Sequence, residues 1–253
     1  MASGSSGARG AGAHPRALLF DLDDTIFDHS LTCRAALAAL CEEAPYLRAR
    51  PLDDLWQEYG RLLGETHAEV MLGRRSSDDA RRERFQRLGQ RVGRTVTASE
   101  ADGLSRSYRA HYQSLRRPVA GAPETVRRLH TRARIAIVTN NTIREQEEKL
   151  EFLGLRDAVD LLVTSEEIGV AKPDPSIFRA ALDRAGVAAA DAVMVGDSWH
   201  DDIEGARAAR IRPIWFNRFG RRPLSPGGVL QFATFEGPRR LDTLLLASDP
   251  APG

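Results

Sequence analysis

The sequence predicts an α/β fold in which a doubly wound parallel sheet carries an inserted, all-helical module. Three observations lead there. Short apolar runs ending in polar residues recur along the chain, helical patterns lie between them, and one long interval holds helical patterns only.

The elements follow in order. Residues 1–16 begin "MASGSSGARGAGAHP", whose Gly, Ser and Ala content reads as a disordered leader or a cloning scar, with no apolar stretch of the kind a secretory signal needs. The run "ALLF" at 17–20 stops at acidic turn residues and is expected to be a buried parallel strand. From 29 to 116 no convincing strand occurs. Ser30 is expected to cap a helix carrying Leu31, Ala35, Ala38 and Cys41. A second helix follows Pro51, with Leu52, Leu55, Trp56, Tyr59 and Leu63 on one face. "SSDD" at 76–79 has the form of a capping box opening a third, with Phe85, Leu88 and Val92, and a fourth shows Leu104, Tyr108, Tyr112 and Leu115. Strand-like runs then return as "IAIVT" (135–139), "DLLVT" (160–164), "AVMVG" (192–196) and "RPIWF" (212–216). Helical patterns cover 123–130, 143–153, 175–185 and 202–209, and "LDTLLL" closes the pattern as a short helix after a Gly/Pro-rich stretch. The expected organisation is a core of 17–28 and 117–245, a helical module of 29–116, and a flexible tail of 246–253.

The bulk numbers exclude more than they assign. The 253 residues are 42% hydrophobic, enough for a substantial core. With 36 basic and 35 acidic residues the net charge is +1, so no global electrostatic argument leads to nucleic acid or to a membrane. No apolar run approaches transmembrane length. Cys33 and Cys41, eight residues apart on one helix, are separated by roughly 12 Å and do not bridge each other. Free thiols fit a cytoplasmic setting.

The polar residues that matter fall at strand ends, where ligands bind in an open parallel sheet. "LLFDLDDTIFD" at 18–28 crowds Asp21, Asp23, Asp24, Thr25 and Asp28 after the first strand. Asp21 and Asp23 point to the same side of an extended segment, which is reasonable if a divalent cation such as Mg²⁺ neutralises them. Thr139 and Asn140 end the second strand, Lys172 lies in "AKPDPSIF", and Asp197 ends "AVMVG". Taken singly these are acidic turns, helix caps and a surface lysine. Their order along the chain is more specific. Asp24 and Asp201 need no role beyond turns.

"FDLDDT", "VTNN", "KPDPSIF" and "VGDSWHDDIEGA" stand in the order of the four motifs of the haloacid dehalogenase superfamily, which the chain resembles over about residues 17–245. The helical insertion resembles the C1 cap of its phosphatase-rich subfamily. The resemblance implies a Rossmann-like core and a phosphate-monoester hydrolase. Asp21 would be its nucleophile and Asp23 its general acid and base. Mg²⁺ would be held by Asp21, the Asp23 backbone carbonyl and Asp197, and the phosphoryl oxygens by Thr139, the Asn140 N–H and Lys172. Asp202 would have a lesser, outer role. A small phosphorylated metabolite is the implied substrate, in a monomer or small homo-oligomer, and the likeness extends to members acting on nucleoside monophosphates and acylneuraminate 9-phosphate. The alternatives are a phosphoglucomutase-like phosphotransferase, a haloacid dehalogenase (usually without an acid at the position of Asp23), and a binding protein on the same scaffold. In the cap, His67, His111, Arg74 and Arg75 are candidate substrate contacts, with helix-surface residues the commoner reading of such side chains.

Overall fold

A computed structural model describes residues 14–71, 74–223, 228–237 and 240–247. Most of the expected leader (1–13) and tail (248–253) therefore lies outside the described residues. The chain divides into two compact units, Asp28–Arg117 and the pair of segments Met1–Phe27 and Pro118–Gly253.

The first unit consists of α1 (His29–Glu43), α2 (Leu52–Met71), α3 (Ser77–Arg91) and α4 (Ala98–Ser114), with a short 3₁₀ turn at Pro45–Ala49. Asp28, not Ser30, caps α1: its carboxylate accepts the Leu31 N–H, and Ser30 already lies within the helix. An ionised side chain at that position also suits the positive end of the helix dipole. Ser76 caps α3 through the Asp79 N–H at 3.1 Å. Thr97 and Glu100 form a reciprocal capping box at the start of α4. The four apolar stripes meet in a core that includes Leu37, Leu40, Leu55, Tyr59, Phe85, Leu88 and Tyr108. Each such side chain contributes roughly 1.5–3 kcal/mol through its burial. Cys33 and Cys41 are free and buried on α1.

The second unit holds one six-stranded sheet, β1 (Ala17–Phe20), β2 (Arg134–Thr139), β3 (Leu161–Thr164), β4 (Ala192–Gly196), β5 (Arg212–Phe216) and β6 (Leu230–Phe232). The order is β3-β2-β1-β4-β5-β6, and all five pairings are parallel. β1 and β4 are buried along their whole length, which is why they read as unbroken apolar runs rather than as alternating ones. Among the described residues six helices accompany the sheet: α5 (Ala122–His130), α6 (Ile143–Phe152), α7 (Ser165–Ile168), α8 (Pro175–Ala185), α9 (Gly205–Ala208) and α10 (Arg240–Leu246). Asp174 caps α8, Pro175 occupies its first turn, and Gly186 ends it at φ 64°. Ile177, Phe178 and Ala181 of that helix pack with Leu19, Ala136, Val138, Val163 and Met194 of the sheet.

Two details differ from expectation. β6 carries no usable pattern in sequence, being three residues long and only partly buried. The helix expected over 202–209 begins instead at Trp199 as a π-wound turn, Trp199–Glu204, before α9. That wider turn buries Trp199, Asp202 and Ile203 together. Among the described residues no helix is long and apolar enough to cross a membrane.

Candidate active site

β1 sits between β2 and β4, where the strand order reverses, so the carboxyl ends of these three strands border the crevice characteristic of such sheets. Asp21 follows β1 directly, and its N–H donates to Val195 O of β4 at 3.0 Å. Its carboxylate is buried and accepts from Lys172 Nζ at 2.6 Å. The same ammonium donates to Asp202 Oδ1 at 2.7 Å. Asp202 Oδ2 in turn accepts the Ser198 N–H at 3.0 Å. β4 has to end in glycine for this to fit, because a Cβ on Gly196 would stand 2.2 Å from Asp202 Oδ2.

Carboxylate oxygens of Asp21, Asp197 and Asp202 all lie within 4.8 Å of one another. One buried ammonium cannot balance three carboxylates in a desolvated site. Burial, helped by the Asp202 charge, pushes the Asp21 carboxyl up to about 7 in spite of Lys172. Burial also pushes Asp197 well above the carboxylate range, and the Asp21, Asp202 and Asp24 charges add to it. Asp202 moves the same way, again chiefly through burial, with Lys172 and the Ser198 N–H opposing. Lys172 moves upward: burial alone would lower it, but Asp202 and Asp21 outweigh that. The trio offers oxygen donors only, a set that suits a small hard divalent cation. Arg221 stands 3.6 Å from Asp197 with its side chain largely exposed, so it neutralises little of this charge.

Around this centre, Asn140 clasps the Lys172 backbone from both sides. It accepts the Lys172 N–H at 2.7 Å and donates its amide to Lys172 O at 2.9 Å. Thr139 is buried, and its hydroxyl accepts from Gln146 Nε2 at 2.7 Å. The Asp23 carboxylate lies outside the trio, in a bidentate ion pair with Lys149 at 2.6 and 2.7 Å. Gln146 Nε2 also reaches Asp23 Oδ2, at 3.0 Å. Asp24 adopts φ 61° and pairs with Arg218 at 2.8 Å. Asp201 hydrogen-bonds Ser198 through both its N–H and its carboxylate.

All these residues up to Asp202 fall within 15–210, the span matched by the family model for haloacid dehalogenase-like hydrolases. The chain belongs to this family. Over 202 residues it is 34% identical to the ribulose-1,5-bisphosphate 5-phosphatase of Halopiger xanaduensis, covering 79% of this chain and 84% of that one. The pyrimidine 5'-nucleotidase YjjG of Escherichia coli is 40% identical over 129 residues, 51% of this chain and 56% of its own. The two relatives are thus phosphoric monoester hydrolases by name. In fold the chain is similar to the magnesium-bound HAD-hydrolase YfnB of Bacillus subtilis, at TM-score 0.74 and 24% identity over 92% of this chain and 99% of that one.

Three buried polar residues of this cluster are hard to single out from the sequence. Gln146 and Lys149 sit in "REQEEKLEF", a strongly polar helical segment, yet both are buried. Their spacing with Leu150 and Leu153 is the signal that was available, since all four are buried positions on one side of the helix. Asp202 is wholly buried and accepts from Lys172 beside Asp21. Its spacing with Trp199, Ile203 and Ala206 carried the same kind of signal. Among the cap candidates, His111 is paired with Glu43 at 2.7 Å and Arg75 with Glu69 and Glu83, all inside the helical unit.

Proposed function

We propose that this hydrolase is a Mg²⁺-dependent phosphatase of small phosphate monoesters that works through an aspartyl-phosphate on Asp21. The observation that carries the proposal is the cluster of three carboxylates in which Asp21 and Asp202 share the Lys172 ammonium and Asp197 lies alongside, with a further carboxylate, Asp23, bonded to a different set of partners. The named phosphatases among its relatives support the reaction class.

In this reading Asp21 attacks phosphorus, and the bond to the leaving oxygen breaks as the carboxyl–phosphate bond forms. Asp23 takes up a proton from solvent before the first displacement and gives it to the departing oxygen, then takes one back from the water that cleaves the aspartyl-phosphate, which leaves it protonated for the next cycle; such help is typically worth ~10²–10⁴-fold. Lys172, the Thr139 hydroxyl and the Asn140 N–H hold the phosphoryl oxygens. Asp202 anchors Lys172, and the Asn140 side chain fixes the backbone from which Lys172 extends. Asp21, the Asp23 main-chain carbonyl and Asp197 would hold Mg²⁺, which when bound supplies charge stabilisation to phosphoryl transfer. Carbon–halogen cleavage fits less well, because a departing halide needs no proton from Asp23. Two free, buried thiols suit a cytoplasmic setting.

The test is phosphate release from a panel of phosphorylated metabolites and an aryl phosphate, with Mg²⁺ and with chelator. Release that chelator abolishes is expected. Release indifferent to chelator, or none from any compound by the folded protein, contradicts the proposal.

A further inference from the structure

Lys149 is a buried cation that the chemistry above does not use. It lies on α6 with only 3% of its surface exposed, and both of its short hydrogen bonds go to the two oxygens of Asp23. On its other side the ammonium faces the Phe27 ring, 5.4 Å from the centroid. Gln146, one turn earlier on the same face, is wholly buried and divides its amide between Asp23 Oδ2 and the Thr139 hydroxyl. Asn141 adds a longer contact to Asp23 Oδ2 at 3.4 Å.

Burying an ammonium is costly, and an apolar side chain of similar volume would commonly serve stability as well or better. The Asp23 side chain is 24% exposed, so its carboxylate is held by the donors that reach it rather than by complete enclosure. Two donors from one helix, aimed at both oxygens of one carboxylate, fix it. The same Gln146 amide ties that carboxylate to Thr139, so the positions of the two groups are set together.

We propose that Lys149, with Gln146, is the positioning residue of Asp23, holding its carboxylate at one place through both displacements. This inference rests on the reading of Asp23 as the proton-transfer group. A group that serves a departing oxygen in one step and an incoming water in the next works best if it does not wander between them. Misplacement by about 1 Å costs on the order of 10²-fold in rate.

The test compares Lys149→Met and Lys149→Arg with the wild-type protein, by crystal structure and by rapid-quench kinetics on an aryl phosphate and an alkyl phosphate with Mg²⁺. In the Lys149→Met variant the Asp23 carboxylate should rotate away from Gln146 and Thr139. The aryl group is a good leaving group, so its initial burst should stay within about twofold of wild type. Steady-state turnover should fall ~10²-fold with KM little changed, and phosphate should accumulate on the enzyme. The alkyl phosphate should lose both phases. Lys149→Arg keeps the charge and should recover part of the loss, and it serves as the test if Lys149→Met does not fold. An Asp23 carboxylate that keeps its rotamer and contacts without Lys149 overturns the proposal whatever the reaction proves to be. So does wild-type turnover in Lys149→Met, or a burst that falls in step with turnover. Absence of any phosphorylated intermediate in the wild-type protein would instead strike the underlying reading, and the crystallographic comparison would still decide the positioning claim.

Discussion

At the scale of single residues, the site separates two aspartates that stand two positions apart. Asp21 is buried against Lys172 in the acidic trio, whereas Asp23 is bonded to Lys149 and Gln146. Environments that differ this much suit different tasks, one group as nucleophile and the other as proton carrier. Asp23→Asn should therefore leave the fold intact and slow alkyl phosphates by ~10²–10⁴-fold, with a smaller loss in the first displacement from an activated aryl phosphate. Rate constants across a series of leaving groups check this, and equal losses along the whole series would show that Asp23 serves only as a scaffold. The positions of Asp21, Asp23 and Asp197 stand out in sequence because each lies at or just past the end of an apolar run, and Lys172 because it precedes a helix within "AKPDPSIF". Lys149 does not, because four acidic or amide neighbours in "EQEEK" mask a position that faces inward.

At the scale of elements, the ends of three strands and the start of one turn supply the geometry. The strands were legible because burial on both faces requires continuous apolar runs, and a run of that kind survives in sequence without any tertiary information. The π-wound turn after β4 was not, since 3.6-residue periodicity cannot distinguish it from an ordinary helix start. Its inward-facing Asp202 needs the space that Gly196 leaves. A Gly196→Ala change should displace the Asp202 carboxylate, destabilise the protein by about 1–3 kcal/mol as overpacking does, and loosen Lys172. Denaturant unfolding together with turnover measures both effects. Full activity at wild-type stability would mean that Asp202 can move without consequence.

At the scale of the whole molecule, the site couples metal, protons and stability. With the Asp21 carboxyl raised from 3.8 to about 7, the native state binds a proton that the unfolded chain has already released. Metal-free protein should therefore lose stability as pH rises through that window, and the raised Asp197 and Asp202 carboxyls add to the loss in the same direction. Mg²⁺ binds the ionised carboxylates, so its binding should release protons through the range in which Asp21 titrates, near pH 7, and its affinity should increase with pH across that range. Calorimetric titration in buffers of different ionisation enthalpy, with melting curves across the same pH range, checks the sign. Proton uptake on Mg²⁺ binding would contradict it. The central claim is more direct still: phosphate passes through Asp21. Acid-quenching the protein during turnover of an aryl phosphate with Mg²⁺, and locating phosphate by mass spectrometry of its peptides, tests that claim. The account predicts phosphate on Asp21 in the wild-type protein, none with chelator, and neither phosphate nor turnover in Asp21→Asn. Turnover in that variant at the wild-type rate, or phosphate carried on another residue, would contradict it.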